Sequence, residues 1–302
     1  MAASPSTPIL AALMMIVCCA FIAASTFFAK MLGTGAIGEA MHPFQIVFGR
    51  YFFALAALAP FFLASRQSLR GAPLRLYGAR AVCGTGAVTG LFAAATLIPL
   101  AEATAISFLN PVFAMILAIV FLGERVGRIR WIAAAIALTG GLILIRPGTA
   151  ALQIGALIAL GAALLMAGEI IFAKLLARTE GVVRLLVLTN LIAVCLATLG
   201  SVFVWRAPTG LEWGLLIAVG VTMVTAQALF MATIKIADAS FATPFLYGTL
   251  VFAAAYDFIW FGVVPAPVAF AGAALIVAGA VLLALREARA HRAPRPHAPG
   301  AP

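Results

Sequence analysis

The sequence predicts an all-α membrane protein of ten transmembrane helices, arranged as two inverted five-helix repeats. Three observations lead there. Of the 302 residues, 65% are apolar and only 9% charged, where soluble domains carry roughly 25% charge. The charges are separated by apolar runs of about 20 residues, the length that crosses a bilayer core as a helix. Short segments of the first half recur, in order, in the second. Ten such runs would use about two thirds of the chain, leaving connectors too short for a soluble catalytic or nucleotide-binding domain.

Taken in order, the spans fall at about 9–29, 43–64, 79–98, 101–122, 129–146, 151–177, 183–204, 211–235, 239–261 and 266–285. Residues 1–8 carry no Lys or Arg and the run after them has full spanning length, so the first span reads as a retained helix and not a cleaved signal. Gly33, Gly35, Gly38 and Pro43 separate it from the second span, and Gly71 and Pro73 precede the third. Only Pro99 and Leu100 lie between the third and fourth, which therefore form a tight hairpin. Pro147 and Gly148 end the fifth span, and Pro208 and Gly210 introduce the eighth. From Arg286 onward the chain is rich in Arg, Pro and Ala and reads as a disordered, basic cytosolic tail, 286–302.

Charge sidedness sets the orientation. Arg66, Arg70, Arg75 and Arg80, then Arg125, Arg128 and Arg130, then Arg178 and Arg184, then Lys235, and finally the tail arginines all fall on the side of the N-terminus. The other side has Arg146 and Arg206, with Lys30 near the end of the first span. The positive-inside rule then puts both termini in the cytoplasm. The net charge of +10 is thereby absorbed by topology and by attraction to anionic headgroups of the lipid bilayer, leaving no nucleic-acid reading.

The repeat rests on four matches in chain order. Phe28-Ala29-Lys30-Met31-Leu32 matches Phe172-Ala173-Lys174-Leu175-Leu176, and Leu91-Phe92-Ala93-Ala94 matches Leu229-Phe230-Met231-Ala232. Ala101-Glu102-Ala103-Thr104 matches Ala237-Asp238-Ala239-Ser240, and the Gly140 region matches the Gly279 region. Five spans per unit is an odd number, so the second unit enters the membrane from the opposite side. Two similar, oppositely oriented halves can exchange conformations and expose a midplane site first to one side and then to the other.

At this point the chain resembles the EamA-domain family of the drug/metabolite transporter superfamily, in its ten-helix form. The resemblance is carried by Ala101-Glu102-Ala103-Thr104-Ala105, Asn110-Pro111-Val112-Phe113, Leu122-Gly123-Glu124-Arg125, Trp131, Gly140-Gly141 and Arg146-Pro147-Gly148. It implies two EamA-type repeats, at 9–147 and 151–285. The second half departs from the family pattern, having Gly262-Val263-Val264-Pro265 where a Gly-Glu pair is often repeated after the ninth span. The resemblance also implies a substrate path lined by the first, third, fourth, sixth, eighth and ninth helices, and an amino acid or a derivative as the default substrate.

Ionisable side chains at depth cost about 2.5–3.5 kcal/mol each on insertion scales and need a partner, a wet cavity or an interface. Arg50 lies seven residues past Pro43, about 10 Å along the helix. Its planar donor fork suits either a substrate carboxylate or a structural ion pair. Glu169 sits at similar depth from the other end of its span. Lys174 is five residues away, about 140° around the axis, so the partner of Glu169 must come from another helix. A proton-coupling role and a hydrogen-bonded structural role both remain open for it. Lys30 and Lys174 occupy matching positions and suit either paired gates or snorkelling to headgroups, and Asp257, near the end of the ninth span, reads as interfacial.

Thr26, Phe92, Asn110, Gln227 and Tyr247 complete the candidate translocation residues. Pro111 removes a backbone donor and favours a kink, which would turn the Asn110 amide and nearby carbonyls toward a cavity; helix-packing contacts are the alternative for each of the five. Cys18, Cys19, Cys83 and Cys195 have no paired spacing, and His42, His291 and His297 lack the neighbours for a metal site, so no metal or cofactor is expected. Gly33-Thr34-Gly35-Ala36-Ile37-Gly38 fits the letters of a dinucleotide fingerprint without the strand that must precede it. No phosphate-loop signature occurs. These readings converge on an ATP-independent secondary transporter of a small polar metabolite in a bacterial cytoplasmic membrane, with an intramembrane enzyme or a passive channel as the alternatives. No catalytic cluster shares one depth.

Overall fold

In the computed structural model, residues 7–65, 71–122, 127–145, 154–176, 179–236 and 243–292 are described. Among them all regular structure is helical. The order is α1 (Thr7–Thr34), α2 (Pro43–Ser65), α3 (Leu74–Leu97), α4 (Leu100–Ser107), α5 (Asn110–Leu122), α6 (Arg128–Ile145), α7 (Ile154–Leu176), α8 (Val182–Val202), α9 (Gly210–Ile236), a 3₁₀ segment (Thr243–Gly248), α10 (Thr249–Phe261) and α11 (Pro267–Arg292). Among the described residues, seven stretches are long and apolar enough to cross a membrane, and three shorter apolar helices, Trp131–Ile143, Phe245–Phe261 and Pro267–Gly279, fall on the remaining expected spans.

Two spans are broken. The fourth is α4 followed by α5, because Pro111 has no N–H with which to continue the ladder. The chain tightens there instead: Leu109 N donates to Ile106 O at 3.0 Å and Val112 N to Leu109 O at 3.0 Å. In the ninth, Pro244 lies in the 3₁₀ segment that precedes α10. The far end of α10 closes at Gly262, whose φ of 63° needs no Cβ. Two boundaries differ from expectation. The third span begins at Leu74, directly after Pro73, and so takes Arg75 into the helix and moves Arg80 away from its end. The last helix runs to Arg292, so the expected tail is helical over 286–292, and 293–302 lie outside the described residues.

Helix pairing follows a simple rule. α1 packs on α9 and α3 on α7; α2 packs on α8, α6 on α11, and α4 on α10. Replacing each span by its counterpart five spans on turns the first pair into the second and leaves the others unchanged. Directions can be read from the contacts. Cys18 Sγ donates to Ala226 O and, seven residues on, Ser25 Oγ to Val219 O, seven residues back, so α1 and α9 run antiparallel. Between α3 and α7 the contacts step from Gly84 beside Glu169 to Gly90 beside Ala162, again antiparallel.

The α6–α11 crossing is reciprocal. A Cβ on Gly140 would lie 2.5 Å from Gly272 O and 2.7 Å from Ile276 N, and one on Gly279 would lie 2.6 Å from both Ala133 O and Ala137 N. The two glycines allow the backbones to touch from both sides. The correspondence is incomplete: α1 packs against α2 and α3, and α2 against α3, whereas among the described residues their counterparts α7, α8 and α9 share no comparable contacts.

The outward surface is apolar, as lipid contact requires. Leu63, Phe121, Phe203 and Ile259 are each at least 72% exposed. Trp205 meets Phe48 edge-on, Trp213 meets Phe53 edge-on, and the two indoles lie tilted against each other near the ends of α2, α8 and α9, a placement typical of interfacial aromatics.

Candidate functional site

Three polar constellations lie within or at the ends of this bundle, and each draws residues from both halves of the chain. The deepest is formed by α2, α3, α7 and α8. Gly84 of α3 leaves space against which the Glu169 carboxylate of α7 rests. There Glu169 Oε1 accepts from Arg80 Nη2 at 3.2 Å, and Arg80 Nη1 donates to Thr189 Oγ1 of α8. Arg80 is therefore the interhelical partner that Glu169 requires, and it is a buried residue, not a cation of a cytoplasmic loop.

Arg50 occupies the other side of this cluster. Its guanidinium lies 4.6 Å from the centre of the Tyr51 ring. Tyr51, itself buried, lies beside both Arg50 and Thr85. The buried ion pair considered for Arg50 does not form among the described residues. Arg50 Nη1, Arg80 Nε and Thr85 Oγ1 are all buried without a hydrogen-bond partner. Such groups are rare in folded proteins and point to something else that meets them.

A second constellation lies at one end of the bundle. Lys30 Nζ at the end of α1 donates to Asp257 Oδ1 at 2.7 Å and Oδ2 at 2.9 Å. Asp257 is 1% exposed, so it is a buried ion-pair partner and not an interfacial residue. Its Oδ2 also accepts from Leu100 N, the first residue of α4, at 2.6 Å, where the helix dipole favours a negative charge. The Phe261 ring lies 4.8 Å from Lys30 Nζ. One carboxylate thus ties α1, α4 and α10 together.

The third constellation clamps loops at that same end. Arg206 donates to Glu212 Oε2 at 2.9 Å and Oε1 at 2.6 Å and reaches Glu39 O, while Gln45 Nε2 donates to Arg206 O at 2.7 Å. The Glu212 carboxylate raises the Arg206 pKa above its ordinary value. The clamp joins the α1–α2 connection to the α8–α9 connection.

The remaining candidates are dispersed. Thr26 donates to Ile22 O within its own helix at 3.3 Å, and Phe92 is buried among Ala29 and Leu32. Asn110 turns back to Ser107 O at 2.9 Å, with Met166 Sδ of α7 3.9 Å away. Gln227 lines a cleft of about 200 Å³ between α1, α9 and the 3₁₀ segment. Tyr247 lines another of about 400 Å³ between α4, α10 and α11, and its ring meets Phe108 edge-on at 5.0 Å. The Lys174 side chain lies outside the described residues.

Sequence reasoning missed Arg80, Thr85, Tyr51 and Asp257 as members of these clusters. The available sign was Glu169, a deep carboxylate whose partner could not be local.

The chain matches the family described as "EamA-like transporter family" twice, over residues 9–146 and 153–285. It is 24% identical to an S-adenosylmethionine uptake transporter of Rickettsia felis, over 84% of this chain and 87% of that one. It is 31% identical to a riboflavin transporter of Rhizobium johnstonii, over 71% and 72% of the two chains. A third relative, the pseudopaline exporter CntI of Pseudomonas aeruginosa, is 31% identical over 72% and 76%. A solved crystal structure with 19% identity shares the fold, with a TM-score of 0.61 over 96% of this chain and 100% of the other.

Proposed function

We propose, from the premise that this chain belongs to the EamA-like transporter family, that it is a secondary transporter that moves a small polar metabolite across a bacterial cytoplasmic membrane by alternating access. The two halves, 9–147 and 151–285, are five-helix units of opposite orientation, with both termini cytoplasmic. The observation that carries this reading is the reciprocal α6–α11 contact, in which each glycine meets the counterparts of the residues that its own counterpart meets. Antiparallel packing of α1 on α9 and of α3 on α7 agrees with it.

The departure from symmetry supplies the mechanism. The packing of α1 on α3 and the Lys30–Asp257 pair support a state in which the end bearing that pair is shut. Exchange of the conformations of the two halves would close α7 on α9 and part α1 from α3, opening that end and shutting the other. In this scheme Lys30 and Asp257 act as a latch, and Lys174 is the counterpart gate. Arg50 and Glu169 face the solute, with Glu169 the group through which protons could couple to transport. Thr26, Phe92, Asn110, Gln227 and Tyr247 line or shape the path.

An amino acid or a derivative is the default solute, and the named relatives handle S-adenosylmethionine, riboflavin and pseudopaline. The test is to compare metabolites inside and outside cells with and without the protein, then to assay the displaced solute in proteoliposomes. The reading predicts saturable exchange and counterflow driven by solute on the far side. Unsaturable conductance would indicate a channel, and chemical conversion of the solute an enzyme.

A further inference from the structure

We propose that Arg50 and Thr85, which flank Tyr51, form a subsite for one carboxylate group of the solute, so that the protein selects organic acids or amino acids over neutral molecules. This rests on the transport reading above and narrows it to a chemical class.

The argument begins with charge. The cluster holds two guanidinium groups, of Arg50 and Arg80, and one carboxylate, Glu169. Arg50 is 8% exposed, Arg80 9% and Thr85 8%. One positive charge is thus left without a counter-ion inside the bundle, where an unpaired ion is among the costliest arrangements a protein can hold. A single anionic group removes that cost.

The donors point to the same ligand. Arg50 Nη1 and Thr85 Oγ1 are buried without a well-formed hydrogen bond, Tyr51 being the polar side chain beside both, while the neighbouring groups are engaged: Glu169 with Arg80, and Arg80 with Thr189. A guanidinium offers a planar fork that suits the two oxygens of a carboxylate, and a hydroxyl can donate alongside it. The Tyr51 ring packed against Arg50 holds that side chain in place. Glu169, the only acidic residue described in the cluster, leaves an amino group on the solute a natural place to rest.

The fold itself does not call for these charges. The repeat that pairs Lys174 with Lys30 places Ser25 opposite Glu169, and Ser25 simply bonds to Val219 O at 3.0 Å. The first half builds the same helix crossing with a hydroxyl. The ionic cluster therefore occurs at one of the two matching helix crossings only, as expected of a binding site and not of the architecture.

The test uses the full chain in neutral detergent, with thermal unfolding followed by tryptophan fluorescence. Sodium acetate, acetamide, dimethyl phosphate and sodium chloride are compared, the salts at equal ionic strength. Acetate is expected to raise the unfolding temperature with saturation, while acetamide does not. Arg50→Gln should abolish the acetate response while unfolding at the same or a higher temperature, because it removes an unpartnered cation. Thr85→Val, nearly equal in volume, should weaken the response, and it carries the test if Arg50→Gln does not fold.

No response to acetate, an equal response to acetamide, or a response that survives in Arg50→Gln would overturn the proposal. A stronger response to dimethyl phosphate would also do so, assigning the cluster to lipid headgroups. Counterflow separates this from the broader reading. Wild-type protein that exchanges only solutes without a carboxylate overturns the subsite and leaves transport standing, whereas acetate binding without exchange of any solute does the reverse.

Discussion

Replacing Asp257 by Asn keeps the volume of the side chain and an oxygen for Leu100 N, but leaves Lys30 charged and unpaired in a site where the two side chains are 8% and 1% exposed. Removing one partner of a buried pair costs about 3–5 kcal/mol. Because Asn still accepts hydrogen bonds, the low end applies, and about 3 kcal/mol corresponds to about a hundredfold in an equilibrium constant. The cost falls on the conformation in which α1, α4 and α10 are tied together, so the latched end should open more often. A cysteine at Thr26, one turn inward of Lys30 and 7% exposed, reports this in a chain whose four native cysteines are replaced. A membrane-impermeant thiol reagent should label it about 10- to 100-fold faster in Asp257→Asn than in the parent. The double variant Lys30→Met with Asp257→Leu should label more slowly than Asp257→Asn, because no orphan charge remains. Equal rates in parent and Asp257→Asn, or a double variant as fast as the single, would refute the latch.

Three other outcomes are expected. Gly140→Ala should destabilise the fold by about 1–3 kcal/mol through overpacking against Gly272, and Gly279→Ala by a similar amount; thermal unfolding of the two variants side by side checks the reciprocity, and an effect confined to one would contradict it. Glu169→Gln weakens the hold on Arg80, and if Glu169 couples protons, transport by this variant loses its response to a pH gradient while downhill exchange persists. Arg206→Gln releases the loop clamp to Glu212 and Glu39; with Arg206 24% exposed but the Glu212 carboxylate only 2%, the loss in stability should be about 1–3 kcal/mol, measured as a shift in unfolding temperature.

How far the sequence speaks depends on the range of the physics involved. Apolar run lengths and proline positions act locally, and they place the helices and the break at Asn110-Pro111. Helix starts are less legible. Reading the third span from residue 79 leaves Arg80 at a membrane edge, where it counts as a topological charge, whereas starting the helix at Leu74 sinks it about 7 Å deeper and aims it at α7. Helical geometry alone excludes Lys174 as the partner of Glu169, yet only the α3–α7 packing supplies Arg80. Asp257 shows the same limit: its place near a helix end suggests exposure, and the depth it reaches is created by α1 and α4 packing over it. Gly140 and Gly279 are visible as a repeated pair, and their reciprocal contact becomes visible only once α6 lies on α11.

Alternating access between the two halves is most directly tested by distances at both ends of the same molecule in lipid. One spin-label pair bridges α1 and α3 at the latched end, and a second bridges the corresponding ends of α7 and α9. Exchange of the two halves predicts two populations at each end that change in opposition: when solute or Asp257→Asn lengthens the α1–α3 distance, the α7–α9 distance shortens. Distances that stay fixed, or that lengthen together at both ends, would contradict it.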